Sequence, residues 1–283
     1  MQSWQVVVLA VATNDIDLAS AALFALGTNG IQQEGADETV TLRAYFSPCP
    51  PLEALHDALA SYGVTAQRLH VESVPDTEVD WSENWKLHFQ PQAVGDRFYI
   101  CPPWAPDAPP GREAIVIHPG MAFGTGQHAT TRGCLLLIEA SLRDGLPAAA
   151  ADIGTGSGIL AIALAKLGVP RIHAVDTDPV ARESTRENAD RNGVAAALAI
   201  GSSVDDVPET CGLIVANLFA DLLDELAGKL VARCAGSGTI VCSGMLESDV
   251  GRVAASFASH GWAAHRTFRE SPWAAVAFTR DGS

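Results

Sequence analysis

Residues 149–158 read Ala-Ala-Ala-Asp-Ile-Gly-Thr-Gly-Ser-Gly, and this stretch decides the fold of the 283-residue chain. An apolar run enters a loop with glycine at every second position, and the amphipathic segment 159–167 follows and stops at Gly168. The pattern predicts a strand, a tight glycine loop and a helix. Glycine permits positive φ and lets a ligand approach the backbone closely. The N-terminus of the helix then offers unpaired N–H groups to that ligand.

A second short strand, residues 171–175, ends at Asp176, 22 residues after Gly154. Because the carboxyl ends of neighbouring parallel strands lie side by side, this carboxylate can accept hydrogen bonds from two ribose hydroxyls of a nucleoside. The dinucleotide fingerprint G-x-G-x-x-G needs glycine where the chain has Ile159. The glycines at 154, 156 and 158 are instead similar to the first motif of class I methyltransferases that use S-adenosylmethionine. An NAD site, or a loop that only connects strand to helix, stays open on this stretch alone.

Composition is that of a globular protein with a substantial core, since 48% of the residues are apolar and 18% are charged. The net charge is −15, with three lysines against 33 acids. Nucleic acid is therefore not expected as a direct partner, whereas a basic protein would be attracted. Simple solubility is the alternative reading of this charge.

The six cysteines form no C-x-x-C pair and no metal-ligand spacing, which is typical of reduced thiols in a cytoplasmic protein. We expect no metal. The apolar run 6–12 lacks preceding basic residues and is too short for a signal peptide or a membrane span, so we expect no membrane association.

The chain divides into three predicted parts. Residues 1–74 show the order β-α-β-β-α-β of a ferredoxin-like domain, with eight acids against Arg43 and Arg68. This domain recognises a partner or supports the fold, and its completeness favours recognition. Residues 75–112 are predicted as a linker helix, with Trp81 and Trp85 on one face, followed by a strand over 94–101 and a proline-rich extended segment. Residues 113–283 form the third part, the nucleoside-binding domain.

A second glycine-rich loop, residues 118–128, precedes a helix predicted over 130–142. It lacks the Gly-Lys-Ser/Thr of a P-loop. Beside a nucleoside site it could fold over the ligand with Phe123 packing on it, or it could be an ordinary surface loop. His118 and His128 are expected to be structural, with a proton-carrying role as the less favoured alternative.

Strands and helices alternate beyond Asp176, ending in a hairpin of residues 262–268 and 273–278. This order predicts a doubly wound, mostly parallel sheet with one antiparallel strand, the plan of class I methyltransferases. Its carboxyl rim would carry Asp152, Gly154, Gly156, Gly158, Asp176, Ser202 and Asn217. Asn217 can accept hydrogen bonds from an amine nucleophile and aim its lone pair, or it can simply close a strand turn. The other elements predicted here are helices at 180–192, 221–234 and 247–260 and strands at 196–200, 213–216 and 238–242.

With these residues assembled, the chain resembles the ribosomal protein L-11 methyltransferase family. The resemblance implies transfer of methyl groups from S-adenosylmethionine to lysine side-chain and N-terminal amines of ribosomal protein L-11, free or on the large subunit. It carries over Thr131, Gly154, Asp176 and Asn217 as cofactor positions, and it implies that the N-terminal domain binds the ribosomal protein. We expect a monomer. The matching segments are 81–85, 98–102, 118–126, 152–162, 176–179, 188–193 and 215–218.

Three alternatives stay open at this stage. The chain could be a related protein-lysine methyltransferase that acts on a different protein. It could be an NAD-dependent oxidoreductase, or a binding module that keeps the nucleoside pocket and transfers nothing.

Overall fold

A computed structural model describes residues 3–28, 30–35, 39–75, 90–118, 126, 128–208 and 210–280. Its internal contacts divide the chain into two compact units, Met1–Phe89 and Gln90–Ser283. The linker helix predicted around Trp81 and Trp85 lies outside the described residues, as does Phe123.

The first unit has the predicted ferredoxin-like arrangement. Its four strands pair antiparallel in the order β2-β3-β1-β4. Alternate residues of β1, namely Val7, Leu9 and Val11, are fully buried in one core with Leu23 of α1 and Leu55 of α2, so both helices cover the same face of the sheet. The elements are β1 Ser3–Ala12, α1 Ile16–Ala25, β2 Gly30–Glu34, β3 Thr39–Phe46, α2 Leu52–Ser61 and β4 Arg68–Pro75.

A three-stranded sheet opens the second unit, with β5 Gln92–Val94, β6 Phe98–Cys101 and β7 Glu113–Val116 in that order. The prediction of a single strand over 94–101 is wrong, because the chain reverses between β5 and β6, with φ of +59° at Gly95. The Glu139 carboxylate holds this turn by accepting the Asp96 N–H at 3.1 Å. The segment after residue 90 therefore belongs with the second unit.

The large sheet has seven strands in the order β10-β9-β8-β11-β12-β14-β13. β14 runs antiparallel to both of its neighbours, while β8 to β12 pair parallel, which confirms the predicted class I methyltransferase plan. The strands are β8 Ala150–Ile153, β9 Ile172–Val175, β10 Leu198–Gly201, β11 Cys211–Asn217, β12 Cys234–Leu246, β13 Trp262–Glu270 and β14 Trp273–Arg280. The helices are α3 Ala129–Ser141, α4 Ile159–Lys166, α5 Pro179–Arg191, α6 Ala220–Arg233 and α7 Val250–Ala258.

Both faces of the central strands are covered, which explains their continuous apolar sequences. Ala150 belongs to a core with Leu135 of α3 and Leu160 of α4, whereas its neighbour Ala151 belongs to a core with α6 and α7. Asp152 follows Ala150 on the α3 and α4 face by strand alternation. With both faces closed, the carboxyl rim of the sheet is where a ligand can reach the strands.

Two predicted boundaries move for tertiary reasons. The helix predicted to end at residue 234 ends at Arg233, because Cys234 pairs in register with Cys211 and begins β12. The helix predicted from residue 247 begins as a 3₁₀ turn, Glu247–Asp249, before α7.

Candidate active site

The glycine loop after β8 is a tight cradle against the neighbouring strands. The backbone N–H groups of Gly154 and Thr155 both donate to the Val175 carbonyl, at 2.8 and 3.0 Å. Gly154, Gly156 and Gly158 have φ values of +73°, +55° and +84°. A Cβ at Gly154 would lie 2.4 Å from Cδ2 of Leu218, the residue after Asn217. The loop therefore needs glycine both for its backbone and for its contact with the end of β11.

Asp176 lies at the carboxyl end of β9 and is half-buried. Its Oδ2 accepts the Gly156 N–H at 3.0 Å and its Oδ1 accepts the Asp178 N–H at 3.0 Å. These two bonds fix the plane of the carboxylate, and each oxygen keeps lone-pair capacity for a further donor. The structure thus brings together the predicted acid and the glycine loop in a form that suits a pair of adjacent hydroxyls.

Asp152 is fully buried beneath the loop. Its Oδ2 accepts the Thr155 hydroxyl at 2.7 Å and the Ala161 N–H at 3.0 Å, so it ties the loop to α4. Burial raises the pKa of this carboxyl to about 7. Its Oδ1 has no hydrogen-bond partner within the described ranges. Direct contact between Asp152 and a cofactor stays a prediction.

Thr131 and Asn217 each carry a buried polar atom that needs a partner. In the part of the chain that the structure describes, neither Thr131 Oγ1 nor Asn217 Oδ1 has one. Asn217 ends β11 in register with Ser243 of β12. Thr131 lies in the first turn of α3, one turn before Cys134, whose pKa is raised by burial and by the charge of Asp152. A buried polar group without a partner costs about 1–3 kcal/mol, so both atoms are candidates to bind a ligand.

Ser202 follows β10 at the same rim, but its side chain is already engaged. Its N–H and hydroxyl donate to Asp206 Oδ2 at 2.7 and 2.9 Å. The backbone bond from Ser202 is the main reason that the pKa of Asp206 is lowered. Ser202 therefore closes the turn after β10.

Asn188 of α5 and Asn192, the residue that caps this helix, were not predicted as site residues, yet they hold the rim together. Asn188 accepts the His118 N–H at 3.1 Å and donates to the Ser157 carbonyl at 2.9 Å. Asn192, one turn later, accepts the Val116 N–H and donates to its carbonyl, at 2.8 and 2.7 Å. Their spacing of four residues, which spans the last turn of α5 and its C-cap, was the signal available in the sequence.

His128 is the N-cap of α3, which is a structural role of the kind predicted for it. Its Nδ1 accepts the Thr130 N–H at 3.3 Å. Its ring meets the Trp273 ring edge-on, with centroids 4.8 Å apart. The segment between His118 and His128, including Phe123, lies outside the described residues except for Gly126.

Across the described ranges, no group of three or more His, Cys, Asp and Glu side chains is placed to hold a metal ion. None of the helices described is long and apolar enough to span a membrane. All six cysteines are free thiols, and five of them are buried.

The sheet order, the glycine loop and the acid after the next strand define a class I methyltransferase. A profile of the family described as ribosomal protein L11 methyltransferase (PrmA) matches residues 4–281. The chain belongs to the ribosomal protein L11 methyltransferase family. This confirms the resemblance found in the sequence.

Individual relatives agree with this assignment. The chain is 34% identical to the ribosomal protein L11 methyltransferase of Geobacter metallireducens, over 98% of both chains. It is 33% identical to that of Geobacter sulfurreducens, over 99% of both chains. The crystal structure of a ribosomal protein L11 methylase from Lactobacillus delbrueckii subsp. bulgaricus superposes with a TM-score of 0.63 and 31% identity. That match covers 68% of this chain and 99% of the other.

Proposed function

We propose that this protein transfers methyl groups from S-adenosylmethionine to lysine side-chain and N-terminal amines of ribosomal protein L11. One observation carries the proposal: the carboxylate of Asp176 is held by the glycine loop on the same rim as the buried oxygen of Asn217, which has no partner among the described residues. Membership of the family supports the choice of cofactor and acceptor. A ribosomal acceptor would place the activity in the cytoplasm.

The residues of the rim fit S-adenosylmethionine. Asp176 would accept hydrogen bonds from the two ribose hydroxyls, because its two oxygens are held in place and keep free lone pairs. The turn of Gly154, Gly156 and Gly158 lets the ligand approach the backbone. The Thr131 hydroxyl, which has no partner in the described part of the chain, would bind a polar group of the methionine part. Asp152 lies beneath the glycine loop and would support the cofactor site by joining the loop to α4. Packing of Phe123 over the ligand remains part of the proposal.

Asn217 is the residue proposed to act on the acceptor amine. The bound cofactor supplies a methyl group on a sulfonium centre, which is already activated for transfer. The chain then has to hold a neutral amine in line, and the Asn217 carbonyl oxygen can accept a hydrogen bond from that amine and orient its lone pair. A lysine amine, with an ordinary pKa near 10.4, loses its proton more readily in apolar surroundings. Leu218 and Phe219, which follow Asn217 in the sequence, would supply such surroundings.

Substitution of Asn217 by alanine tests this role. We expect the turnover number to fall roughly 100-fold, the scale of misplaced reacting groups. Turnover is measured at saturating cofactor and acceptor, with cofactor binding measured separately by calorimetry. Ser202→Ala is the matched rim control, because its hydroxyl is engaged with Asp206. Undiminished turnover of Asn217→Ala would remove this residue from the mechanism.

We also propose that the acidic first unit binds the ribosomal protein. Its eight acids and two arginines over residues 1–74 suit a basic protein partner, as does the net charge of −15. The same charge disfavours direct contact with nucleic acid. We propose that the protein acts as a monomer.

The deciding experiment incubates the full chain with methyl-labelled S-adenosylmethionine and purified ribosomal protein L11. Label on L11 and none on other basic proteins of similar size is the expected result. Label on a different protein would favour the related lysine methyltransferase, and cofactor binding without transfer would favour a binding module. Calorimetric titration with S-adenosylmethionine and with NAD distinguishes a methyltransferase from an NAD-dependent oxidoreductase. The oxidoreductase alternative requires NAD to bind more tightly than S-adenosylmethionine.

A further inference from the structure

The Trp273 indole is a buried hydrogen-bond donor that has no partner in the described part of the chain. Only 3% of the residue is exposed, and no acceptor among the described residues lies within hydrogen-bond reach of Nε1. An indole N–H can donate but cannot accept. Buried donors in native proteins are nearly always paired, so this one calls for an acceptor that the described residues do not supply.

Trp273 lies on the same rim as the candidate active site. It is the first residue of β14 and pairs in register with Leu246, the last residue of β12. Three residues earlier on β12, Ser243 pairs with Asn217. The Trp273 ring is held edge-on against His128, the N-cap of α3, at a centroid distance of 4.8 Å. The indole is therefore fixed by its neighbours.

The strand order separates the indole from the proposed ribose site. Asp176 follows β9, Asn217 ends β11 and Trp273 opens β14, in a sheet ordered β9-β8-β11-β12-β14 over this region. Asn217 thus lies between the carboxylate and the indole. A nucleoside held at Asp176 with its reactive end toward Asn217 leaves the β14 side of the rim to the acceptor.

We propose that the Trp273 indole N–H binds a main-chain carbonyl oxygen of the acceptor polypeptide, an inference that rests on the proposed function. A polypeptide acceptor brings such an oxygen whether its reactive amine is at the N-terminus or on a lysine side chain. The bond would position the acceptor chain beside Asn217. Trp273 is then an acceptor-binding residue.

Substitution of Trp273 by phenylalanine removes the N–H and keeps an aromatic ring. We expect the KM for L11 to rise about 5- to 10-fold, the effect of one lost hydrogen bond, while the Kd for S-adenosylmethionine stays within twofold. Trp262→Phe is the matched control, since Trp262 is equally buried and pairs with Arg280 at the other end of the same hairpin. Trp273→His keeps a ring N–H and is expected to give a KM closer to the wild-type value.

A second measurement uses the unmodified chain and does not depend on the variants folding. Of the six indole N–H resonances in a ¹⁵N spectrum, one should move downfield when L11 is added to the protein already saturated with S-adenosylhomocysteine. Absence of any such shift, or a normal KM for folded Trp273→Phe, would overturn the proposal. So would weaker cofactor binding with an unchanged KM for L11. If the wild type binds S-adenosylmethionine but methylates no L11, the proposed function fails as well.

Discussion

Replacement of Asp176 by asparagine should weaken S-adenosylmethionine binding by about 10- to 100-fold. Each carboxylate oxygen accepts one backbone N–H, from Gly156 and from Asp178, both at 3.0 Å. Because an amide has a single carbonyl oxygen, its NH₂ group must face one of these two donors. The bond from one backbone N–H of the loop is then lost, and the ribose hydroxyls no longer donate to a charged acceptor. A hydrogen bond to a charged group contributes about 1.5–3 kcal/mol, and each 1.4 kcal/mol is about tenfold in affinity.

Isothermal titration calorimetry with S-adenosylmethionine measures this loss directly. Asp178→Asn is the matched control, because it removes the same charge two residues away. Asp178 caps α5 by accepting the Val180 N–H at 2.8 Å, and asparagine is an equally good N-cap. We expect the control to bind within about twofold of the wild type. Wild-type affinity in Asp176→Asn, or an equal loss in the control, would refute the proposed geometry.

The remaining predictions concern stability, measured by urea unfolding. Burial raises the pKa of Asp152 to about 7. Between about pH 4 and 7 the folded state therefore binds a proton that the unfolded state lacks. The contribution of this residue to stability falls as the pH rises through that window. Asparagine does not titrate, so the difference in free energy of unfolding between Asp152→Asn and the wild type should shift by about 2–3 kcal/mol in favour of the variant from pH 5 to pH 8. Parallel pH profiles of the two proteins would contradict this. Gly244→Ala should lower the free energy of unfolding by about 1–3 kcal/mol or more, because φ is +87° and the new Cβ would lie 2.4 Å from the Leu218 carbonyl oxygen. Gly251→Ala should instead raise the free energy of unfolding by about 0.5–1 kcal/mol, because in α7 the new Cβ meets none of the described atoms within 4 Å beyond the backbone of its own helix. Equal effects at the two glycines would be inconsistent with the packing.

Local sequence predicted the sheet and the cradle because both depend on short-range signals. The alternation of apolar runs with amphipathic segments specifies strands and helices within windows of about ten residues. The loop of Gly154, Gly156 and Gly158 was predicted from residue type alone, and the structure gives all three positive φ. Asp176 was predicted to lie beside the loop from its place after the next strand, and it bonds to Gly156.

The features that the sequence did not predict depend on contacts between residues far apart in the chain. The turn at Gly95 interrupts an apolar segment that looked like one strand, and the carboxylate that holds it comes from Glu139, far along the chain. Asn188 joins the glycine loop to His118 through partners on two different elements. Neither contact has a signature in a short stretch of sequence.

The amino-acid sequence by itself determined the order of elements, the glycine cradle and the family of this protein. Those features follow from backbone preferences and apolar periodicity, which neighbouring residues express together. Only the tertiary structure decided which buried polar atoms have partners and which, at Thr131, Asp152, Asn217 and Trp273, have none among the described residues. The physical reason is that a hydrogen bond depends on where distant strands and helices place its two atoms, and packing of the whole unit sets those positions.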